Sequence, residues 1–104
     1  MQGDGPLEDQ VTTLHPHPGK AGVSISRQKY DTIRQAIVDS THAAGGEITF
    51  GRLTDVVTQR LQGSFDGSVP WYVVTVKLDL EARGVLARVP GASPQRLRLV
   101  DPQG

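Results

Sequence analysis

The sequence predicts one small α+β domain in which three helices precede a C-terminal β-hairpin. Apolar residues recur at helical spacing in two stretches, and a third apolar stretch ends at Gly84. Beyond that glycine, residues 95–100 alternate polar and apolar side chains with the period of two that a strand requires. A chain of 104 residues can bury a single modest core. We therefore expect the order helix, short strand, helix, helix, two-stranded hairpin over residues 26–100.

The segments that flank this domain are predicted to be less regular. Residues 1–10 are rich in glycine and acidic side chains and are expected to be disordered, and residues 101–104 form a polar tail. Residues 11–25 contain two short β-prone pieces, 11–14 and 23–25, on either side of a Pro/Gly turn. These two pieces predict a small hairpin or an extended arm.

The first helix is predicted to begin after Ser26, which suits the N-cap position. Its apolar stripe follows the spacing i, i+3, i+7 and i+8 and consists of Tyr30, Ile33, Ile37 and Val38. Gly45 and Gly46 end this helix, since glycine readily adopts the backbone conformation found just past a helix C-terminus.

A brief strand just after Gly46 is predicted to turn directly into the second helix. Thr49 can cap this helix, and Ile48 and Leu53 occupy the two positions of a hydrophobic staple, which sets the angle at which the chain enters the helix. The buried stripe of the second helix is predicted to be Leu53, Val56, Val57 and Leu61.

The third helix is predicted over residues 70–83, because Pro70 suits a first helical turn and Gly84 ends the pattern. It is apolar on two nearly opposite sides. One side consists of Val73, Val76 and Leu80, and the other consists of Trp71, Val74, Leu78 and Ala82. A helix that is apolar nearly all round is expected to be covered on both sides.

The C-terminal hairpin is predicted from a short strand at residues 85–86, the turn PGASP and the alternating stretch QRLRLV. The alternation places Leu97 and Leu99 toward the core and Arg96 and Arg98 toward solvent.

The junction LEARGVLARV, with a leucine four residues before a glycine and two apolar residues after it, resembles the join between recognition helix and wing in bacterial winged helix-turn-helix regulators. More narrowly, the chain resembles a family of small uncharacterised bacterial proteins with that fold, through HPGK at 17–20, KY at 29–30 and WYVVTVKLDLEARG at 71–84. That family often opens the helix with two tryptophans, whereas here Tyr72 replaces the second. The resemblance implies a winged helix with Leu80 packed inward, and it leaves the function open.

No residue pattern supports catalysis or a cofactor. Asp39, Ser40 and His42 include the residue types of a hydrolase triad, but they are nearly consecutive on one helix and cannot face one another. His15 and His17 lack a third metal ligand at suitable spacing, and the chain has no cysteine. The glycines fit neither a phosphate-binding loop nor a dinucleotide fingerprint. We therefore expect neither an enzyme nor a metal site.

The charge distribution favours a nucleic-acid partner, although eleven basic residues balance eleven acidic ones over the whole chain. Residues 70–100 carry five basic against two acidic side chains, and arginine on a wing commonly meets phosphate. A small bacterial transcriptional regulator that binds duplex DNA is one hypothesis, although Asp79 and Glu81 would repel phosphate. Its predicted nucleic-acid-binding residues are Thr75, Lys77, Arg83, Arg88, Arg96 and Arg98.

The alternative hypothesis is a protein-interaction or self-association module that uses the outer side of the third helix, formed by Trp71, Val74 and Leu78. Soluble monomers seldom leave such a ridge open. The cover is predicted to be either a second copy in a homodimer or the N-terminal segment, whose apolar residues are Leu7, Val11, Leu14, Val23 and Ile25. Since neither a signal peptide nor a membrane-spanning run is evident, a cytoplasmic location without membrane contact is expected.

Overall fold

Five short strands and three helices make up residues 9–100, the part of the chain that the computed structural model describes. In chain order they are β1 (Gln10–Thr12), β2 (Ser24–Ser26), α1 (Arg27–Ala43), β3 (Glu47–Thr49), α2 (Phe50–Leu61), α3 (Val69–Ala82), β4 (Leu86–Arg88) and β5 (Arg96–Leu99). The predicted α+β class is confirmed. Most of the segment predicted to be disordered, including Leu7, and the predicted polar tail lie outside the described residues.

The strands form two small antiparallel sheets. β1 pairs with β2, which confirms that the predicted arm is a hairpin, and Gln10 is the first residue of β1 rather than part of a disordered start. The second sheet has the order β3-β5-β4, so β5 lies in the middle. Its pairing with β3 brings the strand that precedes α2 beside the C-terminal hairpin.

A side-chain oxygen caps the N-terminus of each helix within residues 9–100. Ser26 Oγ accepts a hydrogen bond from the backbone of Lys29 at 3.3 Å, as predicted. Thr49 Oγ1 likewise accepts from Arg52 at 3.2 Å. The third cap is Ser68, which accepts from the backbone of Trp71 and starts α3 one residue before Pro70. Each cap satisfies a backbone N–H that has no partner inside its helix.

The core receives side chains from every helix and from both sheets. Ile33 and Ile37 of α1 and Leu53 and Val57 of α2 are fully buried, whereas Val38, Val56 and Leu61 are only partly so. On α3 the core-facing side is Val73, Val76 and Leu80, which confirms the predicted orientation. The hairpins contribute Val11, Ile25, Leu86 and Leu97. The arm is therefore packed into the same core as residues 26–100.

Gly84 ends α3 and directs the chain into β4. Its φ of 79° lies in the left-handed region that favours glycine. Val85 N then donates to Leu80 O at 2.9 Å, which closes the helix end. Among residues 9–100, none of the helices has both the length and the apolar character needed to cross a membrane.

Candidate functional site

The carboxylate of Asp79 joins three parts of the molecule although it has no exposed surface. It accepts hydrogen bonds from the phenol of Tyr30 on α1 and from the backbone N–H of Leu14 in the arm, the latter at 2.8 Å. Arg83 Nε lies 2.9 Å from both carboxylate oxygens. A buried charge is stable only when it is paired and hydrogen-bonded in this way. Asp79 therefore holds the arm against α1 and α3 and is not free to repel phosphate.

Two of these contacts shift the ionisation of the groups that make them. Burial, followed by the hydrogen bond to Asp79, raises the pKa of the Tyr30 phenol above its usual value. The hydrogen bond to Asp79 is also the main reason that the pKa of Arg83 is raised. At neutral pH the phenol of Tyr30 is thus neutral and the guanidinium of Arg83 is charged.

A second charge cluster lies where α3 meets β4. Lys77 Nζ is 2.7 Å from Glu81 Oε2 and 5.1 Å from the centroid of the Phe50 ring, and the Lys77 side chain is only 4% exposed. Arg88 Nε lies 3.3 Å from the other oxygen of Glu81. The ammonium of Lys77 therefore points into the domain.

The residues predicted to bind nucleic acid do not form one patch. Besides Lys77, two of them, Arg83 and Arg88, each face a carboxylate of α3. Thr75 is partly buried where α3 meets the arm. Arg96 and Arg98 project from the outer side of β5, since Leu97 between them is buried, and Arg98 is paired in register with Glu47.

The outer side of α3 is open at its N-terminal end and covered by the arm at its C-terminal end. Trp71 and Val74 are 47% and 41% exposed. Leu78 is half-buried and lines a crevice of about 100 Å³ between α3 and the arm. Leu14 and Val23 border the same crevice and are 44% and 41% exposed. The arm therefore covers part of Leu78, as predicted. It does not cover Trp71 or Val74, and for these two residues the prediction is wrong.

We call this region the apolar surface, formed by Leu14, Val23, Trp71, Val74 and Leu78. It is continuous, because residues three and four apart on a helix are neighbours and the arm residues adjoin Leu78. Two further apolar residues of the predicted cover, Val11 and Ile25, belong to the core instead.

Aromatic contacts hold Trp71 in its exposed position. Its ring meets the edge of Tyr72 with centroids 4.9 Å apart, and Tyr72 in turn meets Phe65 at 5.1 Å. The ammonium of Lys29 lies 5.5 Å from the centre of the Tyr72 ring. The indole is thus fixed by side chains of the domain and not by the arm.

The arm is a tight hairpin whose loop carries the two histidines. Thr13 Oγ1 accepts from Val23 N at 2.9 Å, and a Cβ on Gly22 would lie 2.0 Å from Thr13 O, so only glycine fits there. Desolvation, and then the charge of His17, lowers the pKa of His15, which is therefore neutral at neutral pH. Among residues 9–100 there is no cluster of three or more potential metal ligands.

Sequence reasoning missed two parts of this site. Leu14 and Val23 were expected to be covering residues and prove to be exposed ones. The role of Asp79 was also missed, although its spacing of four from Arg83 is a recognisable ion-pair signal on a helix.

Residues 10–97 match the family model described as "Family of unknown function (DUF6958)", and the chain belongs to that family. The match begins at β1, so the arm is part of the family's domain. Comparison with the curated proteins and comparison with the solved structures each find no match.

Proposed function

We propose that this member of the DUF6958 family is a protein-interaction module that binds its partner through the apolar surface. The observation that carries the proposal is the exposure of Trp71 and Val74, which continues across the crevice to Leu14 and Val23. Contiguous apolar patches with polar surroundings mark interaction sites, and burying each large side chain is worth about 1.5–3 kcal/mol. The proposal assigns no catalytic step to the chain.

The charge clusters of α3 support the same function. In a helix that reads DNA, the outward side chains offer hydrogen bonds to base edges. Here the outward side chains are Trp71 and Val74, while Lys77 and Arg83 are engaged with Glu81 and Asp79. Their charges stabilise the packing of the domain and are poorly placed for base contacts.

We assign the fold more narrowly to the winged helix. The order helix, strand, helix, helix, strand, strand and the pairing of β3 with β5 support this assignment. In it, α3 takes the place of the recognition helix and the β4–β5 hairpin that of the wing. The recognition position would then be used for protein contact, which is possible because a fold does not determine a function.

A peptide-display experiment tests the interaction proposal. Random peptides would be selected on the native chain alone, and the selected peptides would then be tested for binding to the double variant Trp71→Ser/Val74→Ser. We expect the selected peptides to be apolar and to bind the native chain but not the double variant. They should also bind the control variant Gln35→Ser/Gln59→Ser, which changes exposed polar residues of α1 and α2. Selected peptides that bind all three proteins equally would contradict the proposal.

A second candidate function is weak binding of duplex DNA by the β4–β5 hairpin. Arg96 and Arg98 project outward, and neither takes part in the ion pairs found within residues 9–100. Glu47 lies opposite Arg98 and reduces the local positive charge. Such binding would rest on a few phosphate contacts, which carry no sequence information directly.

A further inference from the structure

We infer that the partner of the apolar surface is a second copy of this chain, bound about a two-fold axis that passes between Val74 and Thr75. This inference rests on the proposed function and names the occupant of the same surface. In the resulting dimer the two α3 helices are antiparallel, and Trp71 of each copy packs at the crevice beside Leu78 of the other.

The register follows from the positions of the outward-facing residues on α3, of which Trp71 and Val74 are exposed and Thr75 and Leu78 are partly buried beside the arm. Trp71, Val74, Thr75 and Leu78 lie on one side of the helix over two turns. A two-fold contact pairs residue i with j and j with i. With antiparallel helices centred between Val74 and Thr75, Val74 meets Thr75 of the other copy and Trp71 meets Leu78. One arrangement therefore buries both open residues of α3 in both copies.

The two ends of the surface are complementary in shape. Trp71 protrudes at one end, held by Tyr72 and the cap of α3. At the other end is the crevice of about 100 Å³ between Leu78 and the arm. A cavity of about 150 Å³ holds a whole benzene molecule, so a crevice of about 100 Å³ has room for one edge of an indole ring.

The charge of the surface fits a second copy better than an unrelated charged partner. The five side chains of the apolar surface and Thr75 are all uncharged, so two copies can meet without like-charge repulsion. The whole chain has a formal net charge of zero, which removes long-range repulsion between copies as well. A partner with a charged interface would find no opposite charge on this surface.

Cysteine cross-linking of the full chain tests the arrangement, because the chain has no cysteine of its own. We expect Val74→Cys, next to the proposed axis, to form a disulfide-linked dimer on mild oxidation. Gln59→Cys, at an exposed position on α2, is the matched control and should stay largely monomeric. Equal cross-linking of the two variants would overturn the arrangement.

Sedimentation equilibrium separates this inference from the proposed function. We expect the native chain to dimerise reversibly and Trp71→Ser to weaken dimerisation by about a thousandfold, because the variant dimer lacks two interface tryptophans, each worth about 2 kcal/mol. Both Trp71 and Val74 are exposed, so folding of the variants should be unaffected, and circular dichroism checks this. A native chain that stays monomeric yet binds display peptides through Trp71 and Val74 would refute the second copy and leave the proposed function standing. A native chain that neither dimerises nor binds display peptides through Trp71 and Val74 would refute both the second copy and the proposed function.

Discussion

Tyr30 donates the hydrogen bond of its phenol to Asp79, a carboxylate that lies 49 positions further along the chain and has no exposed surface. The same carboxylate binds the backbone of Leu14 and the guanidinium of Arg83. One side chain thus connects α1, the arm and the end of α3. The stability of the arm, and hence the shape of the crevice beside Leu78, depends on it.

Replacing Asp79 with alanine should lower the free energy of unfolding by about 3 kcal/mol, because three hydrogen-bond donors, of which only Arg83 is substantially exposed, would lose their acceptor. Urea denaturation measures the change. Glu47→Ala, on the exposed side of β3, is the control and should change stability by no more than about 0.5 kcal/mol. Similar effects for the two variants would show that the Asp79 cluster contributes little.

The free energy of unfolding should fall at alkaline pH, partly because the phenol of Tyr30 ionises. The fold raises the pKa of Tyr30, so folding favours the protonated phenol. This contribution is fully present below the unfolded pKa of about 10 and is lost as pH rises toward the higher folded value. The stability difference between the native chain and Tyr30→Phe should therefore shrink between about pH 8 and about pH 11. Tyr72→Phe is the comparison variant. A stability difference between the native chain and Tyr30→Phe that stays constant over this pH range would contradict the prediction.

Leu53→Ala should destabilise the domain by about 2–5 kcal/mol, because Leu53 is fully buried and the substitution leaves a cavity. Val74→Ala, also a truncation of an aliphatic side chain on a helix, should have little effect on the monomer, since Val74 is exposed. Thermal unfolding at low protein concentration compares the two. A large loss in the Val74 variant under these conditions would mean that the outer side of α3 is covered within one chain.

Deleting residues 1–22 should lower stability, because it removes β1, the partner strand of β2, and the Leu14 hydrogen bond to Asp79. At a protein concentration low enough to keep the chain monomeric, the fluorescence emission of Trp71 should change little, since the indole is already half-exposed and contacts Tyr72. Chemical denaturation and the emission maximum of the truncated chain measure both effects. A clear red shift of the emission would show that the arm covers Trp71 after all.

If the hairpin binds duplex DNA, the affinity should fall as salt rises, and the log–log slope should be small. Each phosphate contact contributes about 0.9 to that slope, so Arg96→Ala/Arg98→Ala should flatten it by about 2. Fluorescence anisotropy with random duplex DNA at several salt concentrations measures the slope. Arg60→Ala, on α2, is the control and should leave the slope unchanged. Absence of binding by the native chain at low salt would exclude this candidate function.

The helices, the caps of the first two helices and the two faces of β5 could be predicted from the sequence because local rules decide them. The oxygen of Ser26 or Thr49 reaches a backbone N–H only three residues away, so the cap is visible in a short window. Leu97 faces inward and Arg98 outward because strand side chains alternate. The core-facing side of α3 followed from the same kind of local periodicity, together with the resemblance that placed Leu80.

Tertiary structure alone decided which charges are available and which apolar residues are open. Lys77 counts as a basic residue in the sequence, but the fold places its ammonium against Glu81 and the Phe50 ring. Asp79 finds its partner Leu14 at a separation of 65 positions, which no local pattern reveals. The arm has enough apolar side chains to cover α3, but Val11 and Ile25 are buried in the core instead. The rest of the arm contacts the outer side of α3 only near Leu78. A side chain's exposure and pairing depend on the elements that fold around it, and those elements come from distant parts of the chain.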